Sequence, residues 1–195
     1  MHHPRWQGRT RILLYVVAVC AAVATFGPHL AAQASSAAPA RDALMRTARD
    51  LMATMRYCAV ITLDQHGWPQ ARTVDALPPD EHLVVWFATN PKSRKVAELA
   101  HDGRITLHYF ASASPDQGYV TLRGRARLVS DASAVATHWK PEWEPFWPGR
   151  QAVQLVEVTP VRLEVVSPSR QVNPDPTTWT PQMLEFPAPA AGARK

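Results

Sequence analysis

Three consecutive polar residues near the middle of the chain, Ser93, Arg94 and Lys95, have the types and the placement to bind an anion. They follow an apolar run that ends at Thr89, and they open a segment with helical spacing. The first turn of a helix presents backbone N–H groups without intrahelical partners and the positive end of the helix dipole. A hydroxyl and two cations at that position would suit a phosphate group, whereas the alternative is that both cations are simply solvated.

The elements that must position this turn are predicted to be mainly strands. Apolar and β-branched runs separated by turn residues predict six strands, at 57–63, 70–77, 82–89, 104–111, 119–129 and 151–167. Helical spacing and capping residues predict three helices, at 42–55, 91–101 and from 130 to about 143. Because most connections are too short for parallel crossovers, the pattern favours a mainly β fold, a small antiparallel barrel with peripheral helices.

Five motifs occur in a fixed order between residues 86 and 186, and the match that they mark covers about residues 42–186. They are WFATNPKSRKVAEL from Trp86, RITLHYF, GYVTLRGRARLV, WKPEWEPFWPG and DPTTWTPQMLEF. The series resembles the pyridoxamine 5′-phosphate oxidase-like family, and within it the general stress protein type of FMN-binding split barrel. The resemblance implies a six-stranded antiparallel split β-barrel that forms a homodimer with FMN at the interface and acts as an oxidoreductase on a small molecule.

The resemblance also implies which residues contact the cofactor. They are Arg72, Thr73, Val74, Ala88, Thr89, Ser93, Arg94 and Lys95. Arg72 and the turn at 93–95 match the family's phosphate-binding positions, and the other four residues match positions beside the isoalloxazine ring and the ribityl chain. The phosphate turn would also suit the deazaflavin F420. A flavin or haem binding protein without turnover is the alternative to an enzyme.

The sequence departs from the oxidase at positions that would handle pyridoxamine phosphate. Leu77 stands where the oxidase has a lysine, and Tyr119 aligns with a glutamine that reaches the flavin from the neighbouring chain. The oxidase's arginine–proline–arginine substrate segment has no counterpart between residues 130 and 149, where four aromatic residues stand instead: Trp139, Trp143, Phe146 and Trp147. We therefore expect FMN binding with a different substrate. These aromatic residues and Trp179 would form either a dimer core or lid, or a cover over the flavin or a planar substrate.

The N-terminal segment has the layout of a signal peptide. Residues 1–34 contain three arginines, an apolar run over 12–26 and a small-residue cleavage site at 32–34. The prediction is a periplasmic or secreted protein that begins at Ser35, with an uncleaved membrane anchor as the alternative. A linker at 35–41, a barrel domain at 42–167 and a Pro-rich extension at 168–195 would follow.

Charge and metal-ligand spacing exclude two classes of function. Without the three arginines of the N-terminal segment, the 21 basic residues fall to 18 against 16 acidic residues, which disfavours nucleic-acid binding. The histidines are scattered, and Cys58 is the single cysteine after residue 34. No metal site is therefore predicted, and Cys58 is expected to be a core residue.

Overall fold

The computed structural model describes residues 27–111, 118–147, 149 and 152–187, so residues 1–26 of the predicted signal peptide lie outside it. The first helix, α1, spans Gly27–Thr54, and the chain divides into two units between Ala43 and Leu44. The segment at 35–41, expected to be a linker, is helical even though it contains Pro39. Among the described residues, no helix combines the length and apolarity needed to cross a membrane.

Seven antiparallel strands form one sheet in the order β2–β1–β4–β5–β6–β3, with β7 added to β6. Their bounds are Tyr57–Leu63 (β1), Pro69–Asp75 (β2), Val85–Thr89 (β3), Arg104–Phe110 (β4), Tyr119–Val129 (β5), Gln154–Val166 (β6) and Gln182–Glu185 (β7). A bridge between Ala76 and Phe87 joins the two ends of the strand order and closes the sheet into a barrel. The antiparallel barrel is confirmed, with seven strands instead of the six expected.

Two strands begin later than their apolar runs predicted, and turn chemistry explains the first of them. The side chain of Asp80 accepts hydrogen bonds from the backbone N–H groups of His82 and Val84, both at 2.8 Å. Leu83, between them, has a φ of 62°, which no strand residue adopts, so β3 begins at Val85 instead of residue 82. β6 likewise begins at Gln154 instead of residue 151.

The long strand β6 contributes to both hydrophobic cores of the barrel unit. The first and larger core includes Val156 and Leu163 of this strand. The second core consists of Val129, Val135, Trp143, Val153 and Leu155. The first half of β6 pairs with β3 and its second half with β7, while β5 pairs along its whole length. The register of β5 and β6 shifts between Arg123 and Gly124. A Cβ on Gly124 would lie 2.6 Å from the carbonyl oxygen of Thr159, so the close approach of the two backbones at this bulge requires glycine.

Two further helices flank the barrel. Helix α2, Arg94–His101, follows β3 after a turn at residues 90–93, so it begins three residues later than the predicted start at residue 91. Helix α3 covers only Ala132–Thr137, and Asp131 caps it by accepting from the N–H of Ala134 at 3.0 Å. The predicted continuation to about residue 143 is wrong, because Pro141 has no N–H to continue the helix, and a 3-10 helix over Pro141–Phe146 follows instead. We call residues 139–147 the aromatic segment.

Candidate functional site

A pocket of about 420 Å³ lies where β2, β3, the start of α2 and the aromatic segment meet. Six of the eight residues predicted to contact a cofactor line it: Thr73, Val74, Ala88, Thr89, Ser93 and Lys95. Arg56 and Tyr57, at the start of β1, and the aromatic segment complete the lining. One end of the pocket is therefore polar and the other is aromatic.

The polar end is built around the ammonium group of Lys95. Its Nζ donates to Thr89 Oγ1 at 2.8 Å, and the hydroxyl oxygens of Thr89 and Ser93 lie 3.2 Å apart. Ser93 is the N-cap of α2, but its side chain makes no capping hydrogen bond to the helix. Burial and, secondly, the charge of Arg72 lower the pKa of Lys95. A half-buried ammonium beside two hydroxyls and a second cation would be stabilised by an anion.

Arg72 lies next to this end without lining the pocket. Its Nη2 donates to Glu98 Oε2 at 2.7 Å, and its Nη1 donates to the hydroxyl of Thr62 and to the carbonyl oxygen of Gln70. The Thr62 hydroxyl donates in turn to the same Glu98 oxygen at 2.5 Å. The Arg72 and Glu98 side chains are only 18% and 9% exposed, so this ion pair is largely removed from water. Sequence reasoning missed Glu98, although it stands one helical turn after Lys95.

Arg94 is the predicted site residue that the structure separates from the others. It lines a neighbouring groove together with Asp64, His66 and His101. Successive residues of a helix point about 100° apart, which is why Arg94 and Lys95 face different pockets. The predicted contact between Arg94 and a phosphate stays a prediction.

Asp75 organises the opposite end of the pocket. The strand register places Asp75 and Thr73 opposite Tyr57 and Ala59, so all four share one face of the sheet. Sequence reasoning missed Asp75, although its position two residues after Thr73 predicts a side chain on that same face.

The Asp75 carboxylate accepts hydrogen bonds from three side chains. The donors are Arg56 Nη2 at 2.9 Å, Lys140 Nζ at 2.8 Å and Trp143 Nε1 at 3.3 Å. Partial burial opposes ionisation of this carboxyl, but the hydrogen bonds and charges of Arg56 and Lys140 outweigh burial and lower the pKa of Asp75. The carboxylate on β2 therefore binds both the residue that precedes β1 and the aromatic segment.

The aromatic segment packs its rings edge to face. The ring centroids of Trp147 lie 6.0 Å from Trp143, 6.2 Å from Trp139 and 6.4 Å from Phe146. Trp143 is buried in the second core, whereas Phe146 is 73% exposed. Trp143, Phe146 and Trp147 all line the pocket, so the predicted aromatic cluster is part of the site.

The arrangement can bind a molecule that is anionic at one end and planar at the other. Asp75 and Lys95 both have partners within the protein, so neither is an evident general acid or base. Over the part of the chain that the structure describes, no group of three or more His, Cys, Asp and Glu could hold a metal ion. FMN fits this donor set, because its phosphate matches the Lys95 end and its flat ring matches the apolar walls.

Comparison with known proteins gives a family and a fold. A model of the family described as pyridoxamine 5′-phosphate oxidase matches residues 44–167, well over half of the chain. No curated protein matches the chain.

Similar solved structures include general stress protein 26 from Bacillus anthracis str. Sterne, with 14% identity over 71% of this chain and 98% of the other and a TM-score of 0.54. A Clostridium acetobutylicum protein related to general stress protein 26 has 15% identity over 74% and 96% and a TM-score of 0.61. A heme binding protein from Mycobacterium smegmatis has 18% identity over 61% and 52% and a TM-score of 0.51. At these identities the likeness shows the fold alone.

Proposed function

The chain belongs to the pyridoxamine 5′-phosphate oxidase family, and from this premise we propose that it is a flavoprotein that binds FMN and acts as an oxidoreductase on a small molecule. The observation that carries the proposal is the pocket between β2 and β3. It brings together six predicted cofactor-contacting residues, with an ammonium and two hydroxyls at one end and rings at the other.

Each wall of the pocket has a part in holding FMN. Lys95, Thr89 and Ser93 would bind the phosphate through charge and hydroxyl groups, and Arg72 adds positive potential from behind. Val74 and Ala88 would pack against the ring. Bound flavin supplies hydride and electron transfer, and the protein's part is to bind it, orient it and exclude water from it.

The substrate we propose differs from pyridoxamine phosphate. Leu77, where the oxidase has a lysine, packs against the second core instead of reaching into the pocket. Tyr119 lies beside His108, with ring centroids 5.6 Å apart. Leu77 therefore offers no polar contact at its position, and Tyr119 offers a phenolic hydroxyl in place of an amide.

A homodimer with the cofactor at the interface is part of the proposal. Tyr57 and Phe110 lie on the outer face of the sheet and are 56% and 62% exposed. The pocket residues Thr73 and Asp75 share the face of Tyr57, so a second copy seated on this face would border the pocket. We also propose that the protein acts outside the cytoplasm, on the sequence signal of residues 1–34.

Titration of the purified protein with FMN, followed by visible absorption, tests the cofactor directly. We expect FMN uptake, and Lys95→Ala to weaken FMN binding at least about tenfold, because a charge-assisted hydrogen bond contributes about 1.5–3 kcal/mol. Lys92→Ala is the matched control, since Lys92 lies exposed on the same turn. Parallel titrations with F420 and haem test the alternatives. Uptake of either one in place of FMN would overturn the assignment, as would full FMN affinity in Lys95→Ala.

A further inference from the structure

One ring at the aromatic end of the pocket, Phe146, has no part in the FMN contacts proposed above, which assign the flavin ring to Val74 and Ala88. Phe146 lines the pocket and leaves 73% of its surface exposed. Burial of a phenylalanine ring stabilises a fold, so a ring left in solvent at a pocket mouth contributes little to this one. Exposed apolar surface at a pocket is typical of a ligand-binding position.

Most of the charged side chains beside this surface have partners within the protein, and the Glu144 carboxylate accepts a hydrogen bond from Trp139 Nε1 at 3.0 Å. Arg56 and Lys140 both bind the Asp75 carboxylate, at 2.9 and 2.8 Å. Lys140 also donates to the carbonyl oxygen of Ala76 at 2.7 Å. Glu142, on the aromatic segment, acts on Arg56 through its charge. A charged ligand would therefore have to compete with these partners, whereas an uncharged ring would not.

We propose that Phe146 and Trp147 form a stacking rim that selects a planar, uncharged aromatic substrate. The inference rests on the proposed function and names the substrate class of the same pocket. The rim is preformed, because Trp147 packs edge to face against Trp139 and Trp143. The ammonium of Lys140, 5.5 Å from the centre of the Trp143 ring, anchors the segment to β2. A preformed rim loses little conformational freedom when a flat ligand stacks on it.

Three bicyclic probes that differ in charge test the proposal on the FMN-loaded protein. They are 2-naphthamide (neutral), naphthalene-2-sulfonate (anionic) and N-methylquinolinium (cationic), with dissociation constants measured by equilibrium dialysis. We expect the neutral probe to bind roughly tenfold tighter than either charged probe. Phe146→Ala should weaken binding of the neutral probe roughly tenfold, because stacking on an aromatic ring commonly contributes that much. Phe146→Tyr keeps a ring and should retain binding. Trp68→Ala, at an exposed site on the β1–β2 hairpin, should leave binding unchanged.

Measurements of FMN content and oligomeric state on every variant separate the possible failures. If the protein holds no FMN, the proposed function is wrong, and the proposed substrate class is wrong with it. FMN retained with equal affinity for the three probes overturns the substrate class alone. A Phe146→Ala variant that changes the oligomeric state but keeps the affinity for 2-naphthamide shows that the ring serves subunit contact, which also overturns the proposal.

Discussion

Glu98 has two opposing effects at the polar end of the pocket. Its carboxylate pairs with the largely buried guanidinium of Arg72, which would otherwise be a desolvated charge without a counterion. The same negative charge lies near Lys95 and partly offsets the positive potential that would attract a phosphate. Loss of the Glu98 charge should therefore lower the stability of the fold and raise its affinity for an anion.

Replacement of Glu98 by glutamine would separate these effects. Glu98→Gln keeps hydrogen-bonding capacity but removes the charge, so we expect a lower free energy of unfolding in urea together with FMN affinity raised severalfold. Glu98→Ala should cost more stability, about 3 kcal/mol or more, because it leaves the Arg72 cation without a partner. Glu81→Gln, at a side chain that is 78% exposed, is the control for loss of one surface charge. Unchanged FMN affinity in Glu98→Gln would contradict the electrostatic part of this argument.

Sequence motifs predicted which residues meet in one pocket better than they predicted the contacts between those residues. Thr89, Ser93 and Lys95 could be expected to lie together because strand end, turn and helix start are local features. The direction of the Arg94 side chain depends on the rotation of the helix, which a motif does not encode. The partnership of Arg72 with Glu98 joins residues 26 positions apart and becomes visible only when the strand and the helix are packed together.

At the scale of secondary-structure elements, the hydrogen bonds from Lys140 to Asp75 and Ala76, which we call the tether, help to position the aromatic segment. The segment has no regular α-helix of its own, because Pro141 and Pro145 remove backbone donors. The segment is instead held by Lys140, which donates to the Asp75 carboxylate and to the Ala76 carbonyl oxygen, 65 and 64 residues away along the chain. Since β2 also carries Thr73 and Val74, the tether sets the distance between the two walls of the pocket.

Removal of the tether should loosen the aromatic segment without unfolding the barrel. We expect Lys140→Met to increase acrylamide quenching of tryptophan fluorescence and to weaken FMN binding severalfold, because two hydrogen bonds from a charged donor are lost. Lys140→Arg, which keeps the charge, should recover part of both losses. Lys92→Met controls for loss of a surface ammonium. If quenching in Lys140→Met matches that of the unaltered protein, packing in the second core holds the segment without the tether.

At the scale of the whole molecule, the outer face of the sheet is the surface we assign to a second copy. Phe110→Asp would place a charge among the exposed apolar residues of this face, so we expect monomers by light scattering and weaker FMN retention. Trp68→Asp is the matched control, because Trp68 is similarly exposed but stands on the hairpin between β1 and β2. A Phe110→Asp protein that remains dimeric would exclude this face as the interface.

The barrel could be predicted from sequence because short turns between apolar runs restrict neighbouring strands to antiparallel pairing. The seventh strand could not. β7 has only four residues, it lies in a Pro-rich stretch, and three of its side chains are exposed, so the alternation that identifies a half-buried strand is missing. Its strand conformation comes from pairing with residues 162–165 of β6, a contact that only the folded chain provides.

The pairing of β3 also has a consequence for the order of events during synthesis. Apart from the single bridge at Ala76, β3 is held by β6, whose residues 154–158 follow it by more than sixty positions. A nascent chain that has emerged only as far as α3 therefore lacks the strand that completes the pocket wall. Closing so long a loop is slow relative to forming the β1–β2 hairpin. Cofactor capture should thus be a late, post-translational event, and chains that end before residue 154 should form no competent pocket.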